Sequence, residues 1–512
     1  MKTLKVLLYG RQIGTLALLP SGFCSFEYTA EFCRSGMEPS PLHMPAVEGR
    51  VYMFPNLARE TFSGLPGMIA DSLPDRFGQA LLDQWLTSQG RSAGGANALE
   101  KLAYQGRRCM GALTYEPAAD VRMNRSSVIE MESLVETARK ALSSKEGFQS
   151  TFDDDEQAIL DILKIGTSAG GQRAKAVIAV NDRTKEIRSG QVAAPEGFRY
   201  WILKFDGFDS NVVTTEPADF GRIEYAFSEC VRRAGIRMTE CRLKEENGRA
   251  HFMTERFDRV ASGKLHMQTL CGLAHYDFNM SGAYSYEQAF EVMRRLGLSY
   301  EEMQEMFRRM AFNVMCMNMD DHTKNISFLM DRSGRWSLSP AYDMLYSYNP
   351  EGQFAYAHQM TVAGKRAGIT REDLLSVASE QGILRPGEIL QEVRDAVLDF
   401  AAVASSVGIR QANIRRITSD ISQNLHDGGF QEPPRYICVF NTLTAVLVVN
   451  VLFLYTLSFN ILSNGIFRLI HLIISGGFPL LIYFFRSWRI LPAGILYHLR
   501  SFFPAEGARM CH

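Results

Sequence analysis

The sequence predicts an α+β fold in two lobes, with a small N-terminal β-rich subdomain ahead of them and a hydrophobic tail behind. Three observations carry this reading. Residues 1 to about 110 mix short strands with turn residues, residues 166–205 read as loop, strand, turn and strand, and the apolar spacing is helical from about 285 to 318 and again from 366 to 425. The expected divisions are 1–115 for the N-terminal subdomain, 116–260 for a lobe with a glycine-rich loop, 261–430 for a helical lobe and 436–500 for the tail.

Taken in order, KVLLYGRQIGTLALL reads as two strands joined by a turn, because Tyr9, Gly10, Arg11 and Gln12 interrupt an apolar run that otherwise looks like a signal peptide. SLPDRFGQALLDQWLTSQG is a helix signal, with Ser72 or Asp75 as cap, Pro74 early and Gly90 after the last turn. Residues 125–165 turn helical. Residues 217–235 form an amphipathic helix through Phe220, Ile223, Phe227, Val231 and Ala234. HFMTERFDR, at 251–259, reads as a strand leaving into a connector.

The 512 residues carry a net charge of −1, so no global field favours nucleic acid or an anionic membrane. Nine scattered cysteines without a CxxC pair read as buried thiols in a reducing compartment, and the bulk of the chain is expected in the cytoplasm. The tail differs sharply. Residues 436–467 hold no charged side chain, and a second apolar run reaches Phe485 before Arg486 and Arg489. The first run is long enough for a hydrocarbon core of about 30 Å, so 436–485 is read either as a membrane hairpin or as a frameshifted extension.

The chemistry gathers in CMNMDDHTKNISFLMD, Cys316–Asp331, which crowds Asp320, Asp321, His322, Lys324 and Asn325 between apolar flanks. Such a cluster costs stability unless a bound ion or substrate offsets it. Asp320 and Asn325 make D-x-x-x-x-N, the spacing of a phosphoryl-transfer loop in which the Asp handles the nucleophile's proton and the Asn oxygen reaches Mg²⁺. Mg²⁺ wants a further hard oxygen ligand. FLMDRSGRWSLSPAYDML supplies one, as a hairpin with Asp343 where its far strand ends. Alone the motif is weak, since His322 also suits a structural histidine and Asp321 a helix cap.

Upstream, GTSAGGQRAK brings Gly170, Gly171, Gln172, Arg173, Ala174 and Lys175 into a loop whose backbone N–H groups suit phosphates. It lacks the Walker A spacing, and a plain glycine turn is the alternative. Lys204, in YWILKF, follows loop and strand as a nucleotide-binding lysine does in a kinase N-lobe. A solvated edge-strand lysine is the alternative. Glu224 reads as its partner or as a surface charge, and Met253, Thr254 and Glu255 fall where a link between lobes would offer backbone groups to adenine.

From SAGGQRAKA, YWILKF, ERFDR, DDHTKN and SPAYD in this order, residues 1 to about 430 resemble the HipA-type serine/threonine kinases, toxins of bacterial toxin–antitoxin pairs with a protein-kinase-like fold. The resemblance implies Asp320 as catalytic base, Asn325 and Asp343 as Mg²⁺ ligands, and Lys204 on ATP. It implies a nucleotide site completed by Gly170–Lys175, residues 253–255, His322, Thr323, Lys324, Asn325 and Tyr342, with Ser168 as the autophosphorylated serine. It further implies a small helix-turn-helix antitoxin of the HipB kind, operator DNA reached only through it, and a translation protein such as an aminoacyl-tRNA synthetase as substrate. Two rival readings remain, a small-molecule phosphotransferase and a non-catalytic co-repressor acting through the antitoxin. The hydrophobic tail is no part of the family pattern.

Overall fold

Tyr9 and Gly10 both adopt left-handed backbone conformations, at φ 54° and 82°, and this closes the first hairpin as expected for a two-residue turn. It joins β1 (Thr3–Leu8) to β2 (Arg11–Leu18). With β3 (Cys24–Tyr28), β4 (Val51–Tyr52) and β5 (Leu113–Glu116) they form an antiparallel sheet in the order β4-β3-β2-β1-β5. The computed structural model describes residues 2–92, 94–119, 128, 173–209, 219–261, 263–352 and 355–430. The helical reading of 125–165, the loop residues Ser168, Gly170, Gly171 and Gln172, and the tail at 436–500 lie outside the described residues, apart from Val128.

Helix α1 (Arg76–Ser88) is capped by Asp75, whose carboxylate accepts the Gly78 N–H at 2.7 Å. The other cap candidate, Ser72, instead receives the Tyr115 hydroxyl at 2.8 Å. Helix α2 (Ala98–Gln105) starts with a capping box between Asn97 and Glu100.

The second sheet is also antiparallel and holds β6 (Arg173–Asn181), β7 (Ile187–Ser189), β8 (Phe198–Asp209), β9 (Cys241–Glu246) and β10 (Arg249–Glu255), in the order β7-β6-β8-β10-β9. Helix α3 (Phe220–Arg233) buries Ile223, Phe227 and Val231, the stripe that its apolar spacing predicts. Phe227 stacks on Phe400 with centroids 4.4 Å apart. Ahead of the helix, the Asp219 carboxylate accepts from Arg410 Nε at 2.7 Å and Asn413 Nδ2 at 2.9 Å. The helix is thereby tied to the C-terminal part of the chain.

That part begins with β11 (His266–Thr269), which pairs with β12 (Ser327–Met330), itself paired with β13 (Trp336–Leu338). Between β11 and β12 run α4 (Leu270–Ala274), α5 (Tyr286–Arg295) and α6 (Tyr300–Met315). Ser285 with Gln288, and Ser299 with Glu302, form capping boxes that set the two longer starts. Gly297, at φ 70°, separates them. Helices α7 (Arg371–Gln381), α8 (Pro386–Leu398), α9 (Phe400–Ser406) and α10 (Gln411–Asp427) finish the unit. Phe290, Phe307 and Phe312 are fully buried in this core, each worth about 1.5–3 kcal/mol of burial. Among the described residues no helix is long and apolar enough to cross a membrane.

Candidate active site

Lys204 lies in β8 opposite Lys175 of β6 on one side and Phe252 of β10 on the other. Its ammonium donates to Glu224 Oε1 at 2.5 Å and also contacts the Asp343 carboxylate. All three groups are well shielded from solvent, so the interaction is little screened. Burial works against the charge on Lys204, but Asp343 and Glu224 outweigh it and hold the ammonium above its ordinary pKa. Asp343 shows the converse. Burial alone would raise its pKa, yet Lys204 and Lys175 bring it down to about 2. Burial lowers the pKa of Lys175, against attraction from Asp75, Asp343 and Glu224. Glu224, which the sequence left open as a surface charge, is a buried ion-pair partner.

Asp343 follows the β12–β13 hairpin, as its sequence position suggests, and takes a left-handed conformation at φ 54°. A non-glycine residue there costs of order 1–3 kcal/mol, and such strain gathers at functional sites. Asn325 closes a short 3₁₀ turn, Thr323–Asn325, and its Nδ2 donates to the Asp320 carbonyl at 2.8 Å. This commits the amide nitrogen to the loop and leaves the carboxamide oxygen as the donor atom for a cation. Asn325, Asp343, His322 and Tyr342 line one cavity. A carboxylate and an amide oxygen lining the same cavity are hard ligands of the kind Mg²⁺ takes, so the chemistry of these residues fits that ion.

Asp320 presents its side chain to solvent, at 65% exposure, with His322 Nε2 3.9 Å from its Oδ1. Thr323 and Lys324 have committed side chains: Thr323 donates to the Tyr276 carbonyl at 2.8 Å, and the Lys324 ammonium sits 4.2 Å from the Phe278 ring centroid. The Tyr342 hydroxyl donates to the Lys324 carbonyl at 2.7 Å, and its ring lies 5.7 Å from that of Phe257. Arg173 opens β6, and Ala174 is buried within it.

The expectation for residues 253–255 needs correction. Met253, Thr254 and Glu255 are inside β10, which is flanked on both sides, so their backbone groups serve the sheet. The Glu255 N–H, for example, donates to the Glu240 carbonyl at 2.9 Å. The chain leaves the sheet only at Arg256–Asp258. There Arg256 and Arg259 converge on the buried Asp258 carboxylate, which also accepts the Gly111 N–H at 2.7 Å. Sequence reasoning also missed Asp321 as an anchor. It is buried and accepts from the Tyr286 hydroxyl at 2.9 Å and the Gln359 N–H at 2.7 Å, facing His358 Nδ1 at 3.0 Å.

The chain matches the HipA-like C-terminal domain over residues 167–428 and the HipA N-terminal domain over residues 4–116. It is 26% identical over 271 residues to a Sinorhizobium fredii protein named "Putative kinase Y4dM"; the match covers 49% of this chain and 62% of that protein's length. The HipA of Shewanella oneidensis MR-1, solved with HipB and operator DNA, superposes with a TM-score of 0.57 at 16% identity, covering 83% of this chain and 96% of that one. The Helicobacter pylori kinase CtkA reaches a TM-score of only 0.32, at 9% identity over 45% of this chain and 87% of its own. With the C-terminal domain alone matched across more than half its length, the chain belongs to the HipA family.

Proposed function

We propose that this chain is an ATP- and Mg²⁺-dependent serine/threonine protein kinase, the toxin of a toxin–antitoxin pair. The observation that carries the reading is Lys204 held between Glu224 and Asp343, with Asn325 and Asp343 lining one cavity. Lys204 binds phosphate oxygens of the nucleotide, and Asn325 and Asp343 hold the metal. Bound Mg²⁺ neutralises charge that builds on the transferring phosphoryl group. The solvent-facing Asp320 orients a target hydroxyl and accepts its proton, and Asn325 fixes the peptide of that aspartate. The Arg256–Asp258 connector borders the adenine, with 116–260 and 261–430 as the two lobes and 1–115 as the N-terminal subdomain. Autophosphorylation at Ser168 adds roughly −2 charge to the phosphate-binding loop and switches the enzyme off.

A HipB-like helix-turn-helix antitoxin is the proposed partner, supported by the complex in which the Shewanella HipA was solved. DNA is reached through the antitoxin, since a net charge of −1 supplies no strong field of its own. The proposed substrate is a cytoplasmic translation protein such as an aminoacyl-tRNA synthetase. Purified wild type and Asp320→Ala should be compared for ³²P transfer from ATP to cell protein, and for growth arrest on induction. The variant is expected to lose both. Transfer at the wild-type rate would remove Asp320 from its role, and transfer to metabolites but to no protein would favour a small-molecule phosphotransferase.

A further inference from the structure

We infer that Asn318 is a positioning residue that sets the catalytic loop and the metal-binding loop in register with each other. The inference rests on the kinase reading above. Asn318 is buried, at 1% exposure, just after the end of α6. Its Nδ2 donates to Asn313 Oδ1 at 3.0 Å, within α6, and to the Asp343 carbonyl at 3.0 Å. Its Oδ1 accepts the Asp320 N–H at 3.3 Å and the Ser347 hydroxyl at 3.1 Å. A carboxamide has two N–H donors and two oxygen lone pairs, and this one uses all four.

No other side chain of this length can substitute. Aspartate keeps the two acceptor bonds but has no hydrogen to give Asn313 or Asp343. Leucine keeps the volume and loses everything else, leaving buried polar groups unpaired at about 1–3 kcal/mol each. Both sides of the bridge are strained: Met317, immediately before Asn318, and Asp343 each hold left-handed backbones, at φ 58° and 54°. The Ser347 N–H donates to the Met317 carbonyl at 3.1 Å, so the bridge is closed by a second strut. Strained conformations of this kind persist only where the surroundings over-determine them. Asn318 is the one described side chain that bonds directly to the peptide of Asp320 and to that of Asp343.

The bridge divides into two arms that can be cut separately. Ser347→Ala removes a donor to Asn318 Oδ1 and the hydroxyl that accepts the Asp320 N–H at 3.1 Å, and leaves the Asp343 arm intact. Asn318→Ala cuts both arms. The test measures ATP affinity by calorimetry with and without Mg²⁺, adenosine affinity, and kcat for phosphoryl transfer. For Asn318→Ala the Mg²⁺-dependent gain in ATP affinity should shrink about tenfold and kcat should fall about 10–100-fold, the range for partners that orient metal ligands, while adenosine affinity holds within about twofold. For Ser347→Ala, kcat should fall while the Mg²⁺-dependent gain stays. A folded Asn318→Ala protein with unchanged metal dependence overturns the inference. If it does not fold, Ser347→Ala decides: an unchanged kcat, or a loss of metal dependence equal to the loss in kcat, overturns it. Wild type with neither transfer nor metal-linked ATP binding would instead defeat the kinase reading and this inference with it.

Discussion

Asp320 and Asp321 are adjacent in the chain and opposite in environment: the first carboxylate is 65% exposed, the second 1%. Asp321 is tied to Tyr286, Gln359 and His358, so removing it strands several buried polar groups at once. Asp321→Ala should cost about 3–5 kcal/mol in denaturant unfolding, whereas Asp320→Ala should fall within about 0.5 kcal/mol of wild type. Equal effects on stability would mean that the two carboxylates do not divide anchoring from chemistry.

Lys204 is the shared partner of the buried Glu224 and the partly buried Asp343, and its loss removes the cation that contacts both carboxylates, leaving Lys175 as the neighbouring positive charge. Lys204→Met should therefore lower both stability, by about 3–5 kcal/mol, and ATP affinity, by tenfold or more. Glu224→Gln keeps the hydrogen-bond acceptor and the Asp343 contact, so its stability loss should be clearly smaller. Thermal unfolding and calorimetric ATP titration of both variants check this. A Glu224→Gln loss as large as that of Lys204→Met would locate the stabilisation in the Glu224 pair alone.

Much of this was readable along the chain. The apolar spacing of Ile223, Phe227 and Val231 follows from helix geometry, and Lys204 and Asp343 could be placed from the order of loop, strand and hairpin. The rest depends on contacts between distant segments. Asp321 becomes an anchor only because His358 and Gln359 return to it from some forty residues on. β10 runs on to Glu255, past where a connector was expected, because β9 pairs with it as far as Thr254, β8 pairs with Glu255 itself, and Arg199 holds Glu255 at 2.6 Å. Asn318 carries no signal of its own. Its four bonds exist only once Asp343 and Ser347 are folded against α6.

Asp258 accounts for the ERFDR motif structurally. It sits fully buried between Arg256 and Arg259 and receives the Gly111 N–H, and so binds the connector to the N-terminal subdomain. Burial opposes its charge, but the two guanidiniums hold the carboxyl well below the usual range. Its contribution is thus present above the unfolded pKa of about 4 and is lost as pH falls further. Asp258→Asn should cost about 3–5 kcal/mol at pH 7 by urea unfolding, because two buried cations lose their partner. A loss under about 1 kcal/mol would show that the cluster is solvated in practice.

Asp71 gives the opposite pH dependence. Its carboxylate accepts the Thr269 N–H and hydroxyl, each at 2.8 Å, and lies so near Gly272 that a Cβ there would sit 2.2 Å from Oδ2. Burial raises its pKa to about 6, against the pull of Lys324 and the Thr269 bonds. Between the unfolded value of about 4 and the folded value of about 6, the native protein holds a proton that the unfolded chain releases. Stability from this group is therefore full below about pH 4 and declines as pH rises through 6, by roughly 2–3 kcal/mol in all. Asp71→Asn keeps an acceptor for the Thr269 N–H and cannot ionise. The stability of wild type relative to this variant should then fall by that amount between pH 4 and pH 8 in paired urea titrations, other groups cancelling in the difference. A flat difference would mean that Asp71 titrates like an exposed carboxylate, and that the joint between the N-terminal subdomain and α4 admits water.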